Sequence, residues 1–333
     1  MYFKSKVNTC FFIAEIGSNH EGSFNKAKEL MIQACKSKAD LIKLQFYSAN
    51  GIVNKKYDPQ RFEHFKKLSL KESQYIELAK LCKKHKKKFS ASIWNREMIS
   101  TFDKYIDVYK IGSGDLKNFE IIKKIVTTSK PIIISTGLAN LNEINDTLSF
   151  IKKINKSYFS KKKIALLHCN TAYPTPYYDV NLENIKIIHE KFKIQTGYSD
   201  HTIGDEVIKV AYLNGAKIIE KHFSNNINAK SFRDHQISLN RTQVDNFLNS
   251  IKQIDLLFKK KKFQLTFSEK KQNNLFSFRR SIYANKNIAK GDIFSMDNLI
   301  CLRPYIKKGI SSDKFFKILG KKAKRNYNKL DLI

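Results

Sequence analysis

Paired cysteine spacing is missing from this chain. Its five cysteines, Cys10, Cys35, Cys82, Cys169 and Cys301, are scattered and odd in number. That excludes a disulfide framework as the basis of the fold and fits reduced thiols in a cytoplasm. Long apolar runs are missing too. No stretch reaches about 18 consecutive apolar residues, so no membrane-spanning helix is expected. The opening residues, Met-Tyr-Phe-Lys-Ser-Lys, hold no apolar signal core, and a cytoplasmic protein is expected. Acidic residues are scarce: 30 Asp and Glu face 62 Lys and Arg, a net charge of +32. Such a balance invites a nucleic-acid reading, but no helix-turn-helix, RRM or KH signature accompanies it. The lysines are spread among Asn and Ile along the whole chain. They read as a solvated basic surface that concentrates anionic substrates, with no nucleic-acid partner expected.

What is present is alternation. Short β-rich runs are followed by helix-length amphipathic runs, eight times over. The expected strands are Phe11–Ile16, Leu41–Gln45, Lys88–Ser92, Val108–Ile111, Pro131–Ser135, Lys163–His168, Lys193–Tyr198 and Ala216–Lys221. Several are apolar on both faces, as a parallel sheet covered by helices requires. The expected helices include Phe24–Lys36, Lys71–Lys86, Glu120–Thr128, Leu141–Ile154, Asp205–Asn214 and a last one at Gln243–Phe258. Eight such units favour a closed (β/α)8 TIM barrel over residues 1–258.

Composition then shifts. Lys259–Lys262 opens a polar stretch, read as a solvated linker over 259–274. Residues 275–333 form a second, small domain with short strands and a Lys-Gly-Asp turn at Lys290–Asp292. From Lys259 to Ile333 there are 20 Lys and Arg against 5 Asp and Glu. This denser excess is expected to meet an anionic substrate or an acidic partner surface.

Two histidines carry the strongest chemical signal. His201 and His222 each follow a short strand, and they are one strand–helix unit apart. In a parallel barrel both imidazoles emerge at the C-terminal mouth, where barrel enzymes place their chemistry. Two neutral imidazoles there hold one divalent metal and leave positions open for substrate. Glu15 is an ionisable group in an otherwise apolar strand; it is either paired or used. Lys43 and Gln45 alternate with apolar residues, so both point into the barrel, where a lysine needs an anion. The fourth and fifth strands end in Lys110-Ile111-Gly112-Ser113-Gly114-Asp115 and Ile134-Ser135-Thr136-Gly137. Gly beside Ser at a strand end lets backbone N–H and hydroxyl groups approach a phosphate. One such loop is a turn. Two, with Lys43 and Lys110 at the same mouth, point to a phosphorylated substrate. Cys169 reads either as a reactive thiol or as a small buried apolar residue.

The stretches Ile13–Gly22, Lys43–Phe46, Tyr109–Asp115, Ile134–Gly137, His168–Pro176, Tyr198–His201 and Glu220–Phe223 together resemble the sialic acid synthase family. The tail, with Phe278-Arg279-Arg280-Ser281, Ile288–Gly291, Arg303-Pro304 and Leu319–Lys322, resembles that family's antifreeze-like SAF domain. The resemblance implies condensation of phosphoenolpyruvate with an N-acetylated mannose-type sugar to a nine-carbon 2-keto-3-deoxy acid, with release of phosphate. It implies Mn²⁺ or Mg²⁺ held by His201 and His222. It implies Lys43, Lys110, Ser113 and Ser135 on phosphoenolpyruvate, Glu15 and Asp115 on protons or sugar hydroxyls, and Gln45 and Asp234 on the sugar. Arg279 or Arg280 would reach into the barrel of a partner subunit, in a domain-swapped homodimer that pairs head to tail.

Three departures from the family pattern stand out. Asp115 stands where the family commonly has Glu, which withdraws the carboxylate by about 1.5 Å, one C–C bond. Residues 228–236 lack the Gly-Pro-Asp run frequent there. His168–Pro176 and Asp234-His235 resemble relatives that make legionaminic acid, and His235 reads either as a sugar-facing group or as a loop histidine. Two rival readings remain: another phosphoenolpyruvate-dependent aldol-type synthase acting on a sugar phosphate, and a non-catalytic sugar-binding protein.

Overall fold

The computed structural model describes residues 2–6, 8–258 and 262–333. They divide into two compact units, Met1–Phe258 and Lys259–Ile333. In the first, eight parallel strands close on themselves in sequence order: β1 (Phe11–Gly17), β2 (Leu41–Phe46), β3 (Lys88–Ile93), β4 (Val108–Ile111), β5 (Ile132–Ser135), β6 (Ile164–Cys169), β7 (Gln195–Asp200) and β8 (Ile218–His222). Strand β8 returns to pair with β1 and seals the barrel. Ten helices alternate with the strands: α1 (Phe24–Lys36), α2 (Pro59–Leu68), α3 (Glu72–Lys84), α4 (Arg96–Phe102), α5 (Phe119–Thr127), α6 (Leu141–Ile154), α7 (Ser157–Ser160), α8 (Asn184–Phe192), α9 (Glu206–Leu213) and α10 (Arg241–Leu257). No helix among the described residues is long and apolar enough to cross a membrane.

The two-residue period of a strand divides the apolar residues into two cores. Phe12, Ala14, Ile42, Leu44 and Phe46 face outward and pack under the helices. Phe11, Ile13, Leu41, Val108, Ile133 and Ile218 face inward, closed from below by Phe3. Going up each strand, the inward positions change character. Ile13 is followed by Glu15, Leu41 by Lys43, Val108 by Lys110, Ile133 by Ser135 and Ile218 by Glu220. The lower barrel is thus an oily plug, and the upper barrel is ionic.

Local chemistry sets the element ends. Ser23 caps α1 by accepting from Lys26 N, and Asn140 and Glu143 form a capping box on α6. The expected strands at Lys193 and Ala216 begin later than the sequence suggests. Lys193 is in the left-handed region (φ 53°) and ends helix α8, so β7 starts at Gln195. Helices α2, α4, α7 and α8 fall where the sequence reading assigns no residue range, although its eight β/α units imply a helix after β3 and after β6. The first had a readable signal: Asp58 caps it through Arg61 N and Pro59 occupies its first turn.

The second unit contains α11 (Phe267–Lys271), α12 (Asn274–Phe278), β9 (Ser281–Ala284), β10 (Leu299–Leu302) and α13 (Phe315–Ile318). Strands β9 and β10 pair antiparallel, and isolated bridges extend the pairing through Tyr283–Leu332, Ile288–Tyr327 and Ile293–Lys322. Ile282, Ala284, Ile288, Leu299 and Ile333 form its core. The expected linker is only partly extended: residues 259–261 lie outside the described residues, and α11 forms within it. Thr266 and Glu269 make a capping box that starts that helix.

Gly197 in β7 tests barrel closure. A Cβ there would sit 2.2 Å from Ile218 O and 2.7 Å from Leu167 Cδ2. Gly197→Ala should therefore cost about 1–3 kcal/mol by overpacking, read as a lowered denaturation midpoint in urea with an unchanged slope.

Candidate active site

The ionic upper barrel opens into a cavity of about 610 Å³ at the C-terminal ends of the strands. Ten of the twelve expected site residues line it: Glu15, Lys43, Gln45, Lys110, Ser113, Asp115, Ser135, His201, His222 and Asp234. The other two, Arg279 and Arg280, belong to the second unit. Both are exposed, and Arg280 donates to Cys301 O at 2.8 Å.

Pairing in the sheet brings the charges together. Glu15 lies opposite Lys43 on one side and His222 on the other. Lys43 Nζ is 2.5 Å from Glu15 Oε2, and Gln45 Nε2 donates to Glu15 Oε1 at 2.9 Å. Lys110 Nζ donates to Ser135 Oγ at 2.6 Å and lies 3.5 Å from Glu220 Oε1. Glu220 Oε1 also lies 4.0 Å from Lys43 and accepts from Ser199 Oγ at 3.1 Å. All four charged groups are at most 6% exposed. A buried charge is tolerated only when paired, and here each cation meets a carboxylate.

Their protonation follows. Burial raises the Glu15 carboxyl, and Lys43 opposes that only in part. Burial disfavours the Lys43 ammonium, but Glu15 and Glu220 overcome it and hold its pKa above the ordinary lysine value. Burial lowers Lys110, incompletely offset by Glu220. Burial works to raise Glu220, yet Lys110 and Lys43 hold it below the usual carboxylate range. Glu220 is the carboxylate that the lysines hold more firmly ionised, with Oε2 buried and without a hydrogen-bond partner.

The two imidazoles come together as expected, with ring centroids 5.5 Å apart. Burial pushes His201 down to about 4 and His222 well below the usual imidazole value, so both are neutral. His201 Nδ1 lies 2.5 Å from Asn170 O. It therefore donates, and Nε2 keeps the lone pair. Tyr173 stacks on the same ring with centroids 4.0 Å apart, and the Arg233 guanidinium lies over the Tyr173 ring, 4.5 Å from its centroid. His222 Nδ1 is buried without a hydrogen-bond partner, 3.6 Å from Asp234 Oδ2. Neutral rings with an unclaimed nitrogen fit a divalent cation. Among the described residues no group of three His, Cys, Asp or Glu is placed to hold a metal ion.

Gly17 makes room for His222. Its backbone is left-handed (φ 56°), and a Cβ there would lie 3.2 Å from His222 Cε1. The β1–β2 register slips between Glu15 and Gly17, a bulge that re-aims the end of β1 toward the mouth.

At the rim, Ser113 Oγ accepts from Gly137 N at 3.1 Å, joining the two Gly-Ser loops. Asp115 is raised by burial and accepts from Asn118 at 3.1 Å. Asp234 is raised to about 6 by burial, with Arg233 opposing. Cys169 lines the cavity 3.8 Å from His201 Nδ1, but burial lifts its thiol to about 11, so it is an unreactive neutral thiol. His235 is not among the lining residues. It is buried between Ser224 Oγ at 2.7 Å and Glu21 Oε1 at 3.2 Å, an arrangement that fits a loop histidine. Sequence reasoning missed Glu220, Ser199, Tyr173 and Arg233. The signal for Glu220 was present: it alternates with His222 in β8 as Glu15 alternates with Ile13 in β1.

Residues 30–263 match the NeuB family, and residues 279–333 match the SAF domain. The chain belongs to the NeuB family. Curated relatives span it almost end to end. The N,N'-diacetyllegionaminic acid synthase of Campylobacter jejuni is 35% identical over 96% of this chain and 98% of its own. The enzyme of that name from Legionella pneumophila is 32% identical over 96% and 91%. Among solved structures, the N-acetylneuraminic acid synthetase of Leptospira borgpetersenii, in complex with citrate, superposes with a TM-score of 0.69. It shares 26% identity over 80% of this chain and 91% of its own. These relatives are named synthases or synthetases, and they align with most of this NeuB chain.

One buried group of this NeuB chain lends itself to a pH test. His20 is 1% exposed, its Nε2 has no partner, and burial lowers it to about 4. A lowered folded pKa stabilises above the unfolded value near 6.5, and that stability is lost as pH falls through 4. Thermal midpoints of the wild type should fall between pH 6.5 and 4, and His20→Asn should fall less steeply over that window.

Proposed function

We propose that this chain condenses phosphoenolpyruvate with an N-acetylated mannose-type sugar, giving a nine-carbon 2-keto-3-deoxy acid and phosphate. One observation carries the reading: two neutral imidazoles 5.5 Å apart face the same cavity as a buried Lys–Glu–Lys–Glu group and two Gly-Ser loops. The relatives named as synthases of diacetyllegionaminic acid support it.

The donor is a compact polyanion. Lys43, Lys110, Ser113 and Ser135 offer it ammonium and hydroxyl donors. In the free site Glu15 and Glu220 already compensate the two lysines, so a polyanion needs further positive charge. His201 and His222 would hold Mn²⁺ or Mg²⁺, which supplies that charge and Lewis acidity toward an aldehyde oxygen. The remaining steps fall to the chain. The C3 carbon of phosphoenolpyruvate forms a bond to the aldehyde carbon, whose oxygen takes up a proton. Water adds at C2, and the C2–O bond to phosphate breaks. Glu15 has its carboxyl raised by burial, so it suits a role in proton transfer. Asp115, also raised, sits at the rim beside Asn118. Gln45 and Asp234 offer hydrogen bonds to sugar hydroxyls or acetamido groups. Phe65, Trp94 and Phe232 add apolar surface for acetyl methyls and a deoxygenated carbon, which favours a 2,4-diacetamido-trideoxy acceptor over N-acetylmannosamine. The second unit's part is to lend an arginine to the site of a partner subunit in a homodimer. Arg279 is the better candidate, since Arg280 is tied to Cys301 O and Arg279 has no hydrogen-bond partner among the described residues. We place this reaction in the cytoplasm.

A coupled phosphate-release assay across N-acetylated hexoses tests the reading. Lys43→Ala and His222→Ala should each lower turnover at least about 100-fold while circular dichroism stays unchanged. Near-normal turnover in either variant defeats the assignment. Activity with aldose phosphates alone would favour the rival synthase. EDTA should silence the wild type, and Mn²⁺ should restore it.

Glu220→Gln removes the shared counter-ion while keeping the side-chain shape. It should reduce kcat by about 10- to 100-fold with a smaller change in KM for phosphoenolpyruvate. A change in KM alone would make Glu220 a binding group only.

A further inference from the structure

A second cavity, of about 600 Å³, lies at the opposite, N-terminal end of the barrel. It starts where β1, β6 and β7 begin, at Phe11, Ile164 and Gln195. No part of the proposed reaction uses it. Its floor and walls are aromatic: Phe3, Phe11 and Tyr158 are almost fully buried, and Phe159 and Phe192 are partly so. Its polar lining is of one sign. Lys4, Lys162, Lys193 and Lys217 all border it, and no Asp or Glu does. None of these four ammonium groups has a carboxylate within ion-pair distance among the described residues.

The backbone contributes to this arrangement. Lys162 and Lys193 both have left-handed φ, 51° and 53°, in the loops that enter β6 and β7. A side-chain-bearing residue is uncommon in that conformation. Each sits at a turn directly beneath a strand, which sets its side chain at the cavity border. Two sides of the rim are thus short loops between a helix end and a strand start, and the segment that precedes β1 supplies Phe3 and Lys4. Gln195 Nε2 donates to Phe3 O at 2.9 Å and fixes the floor ring from the side.

An apolar pocket of this size with a few convergent polar groups is the usual form of a small-molecule site. Here the walls want a flat apolar body, and the ammonium groups, which have no carboxylate partner (Lys217 Nζ lies only over the Tyr212 ring, at 4.0 Å), want an anion. A neutral apolar ligand would leave the cations unanswered, and a small inorganic anion would leave the aromatic walls wet. We propose that this cavity binds a small amphiphilic organic anion: an aromatic ring system bearing one carboxylate or sulfonate. The ring lies against Phe11, Phe159 and Phe192, and the anionic group meets Lys193 and Lys217.

The probe is 8-anilino-1-naphthalenesulfonate, which has this chemistry, followed by fluorescence titration of the full chain. Saturable binding of about one dye per chain is expected. Lys193→Glu/Lys217→Glu should weaken it at least tenfold. The neutral analogue N-phenyl-1-naphthylamine should bind at least tenfold more weakly than the sulfonate and be indifferent to the charge reversal. Because the chain carries 62 Lys and Arg, diffuse surface binding would barely respond to two of them. That makes the paired reversal decisive. Phosphate release and circular dichroism of the double variant should match the wild type, and Lys193→Ala/Lys217→Ala is the milder substitute should the reversal disturb folding. A Lys43→Ala variant should bind the dye normally, since its side chain is at the other end of the barrel. The proposal is overturned by an absence of saturable binding, by equal affinity for the neutral dye, by dye affinity unchanged in both double variants, or by loss of dye binding in Lys43→Ala.

Discussion

Four charges buried in one another's company, Glu15, Lys43, Lys110 and Glu220, are the constraint on which the upper barrel depends. None is tolerable alone at that depth, where an unpaired charge costs several kcal/mol. Together they leave each ammonium within 4.0 Å of a carboxylate. The strand register makes this possible, because Glu15 faces Lys43 across one ladder and His222 across the other. A slip of one residue would turn the charges outward into the helical layer and the outer core's Phe12 and Ala14 inward. Barrel closure and site assembly are therefore one requirement.

The same register explains the lower half. Below the charges, Phe11, Ile13, Leu41, Val108, Ile133 and Ile218 fill the interior, with Phe3 beneath them. A plug of this kind is rigid and dry. It gives the ionic layer a fixed floor and keeps water from solvating the charges from below, so their mutual attraction is little screened. The imidazoles above are neutral for the same reason, since burial is the largest cause of the shift in both.

Much of this was legible in the sequence. Period-two alternation put Lys43 and Gln45 inside the barrel, and the spacing of His201 and His222 put both at one mouth. The α1 and α6 boundaries were readable because their caps and apolar faces agree. What escaped had physical causes. Helix α8 was hidden because a lysine, where glycine is usual, takes the left-handed position that ends it. Glu220 escaped because His222, two residues on, carries the stronger signal, and its lysine partners come from β2 and β4, far away in sequence. Tyr173 meets His201, and Arg233 meets Tyr173, only through the folding of two loops, and no local pattern encodes that. Arg279 and Arg280 were expected from a tail motif; both are exposed in the second unit, and Arg280 is tied to Cys301 O.

Mutual cancellation of the inner charges has a kinetic side. Two cations answered by two anions make a short-range field that fades within a few ångströms of the cavity wall. Long-range capture of an anionic molecule then falls to the outer surface, with its excess of 32 positive charges. Mobile ions screen that excess over about 10 Å at 0.1 M salt. Added salt should accordingly slow encounter while leaving the events inside the barrel unaltered, separating the protein's reach from its grip.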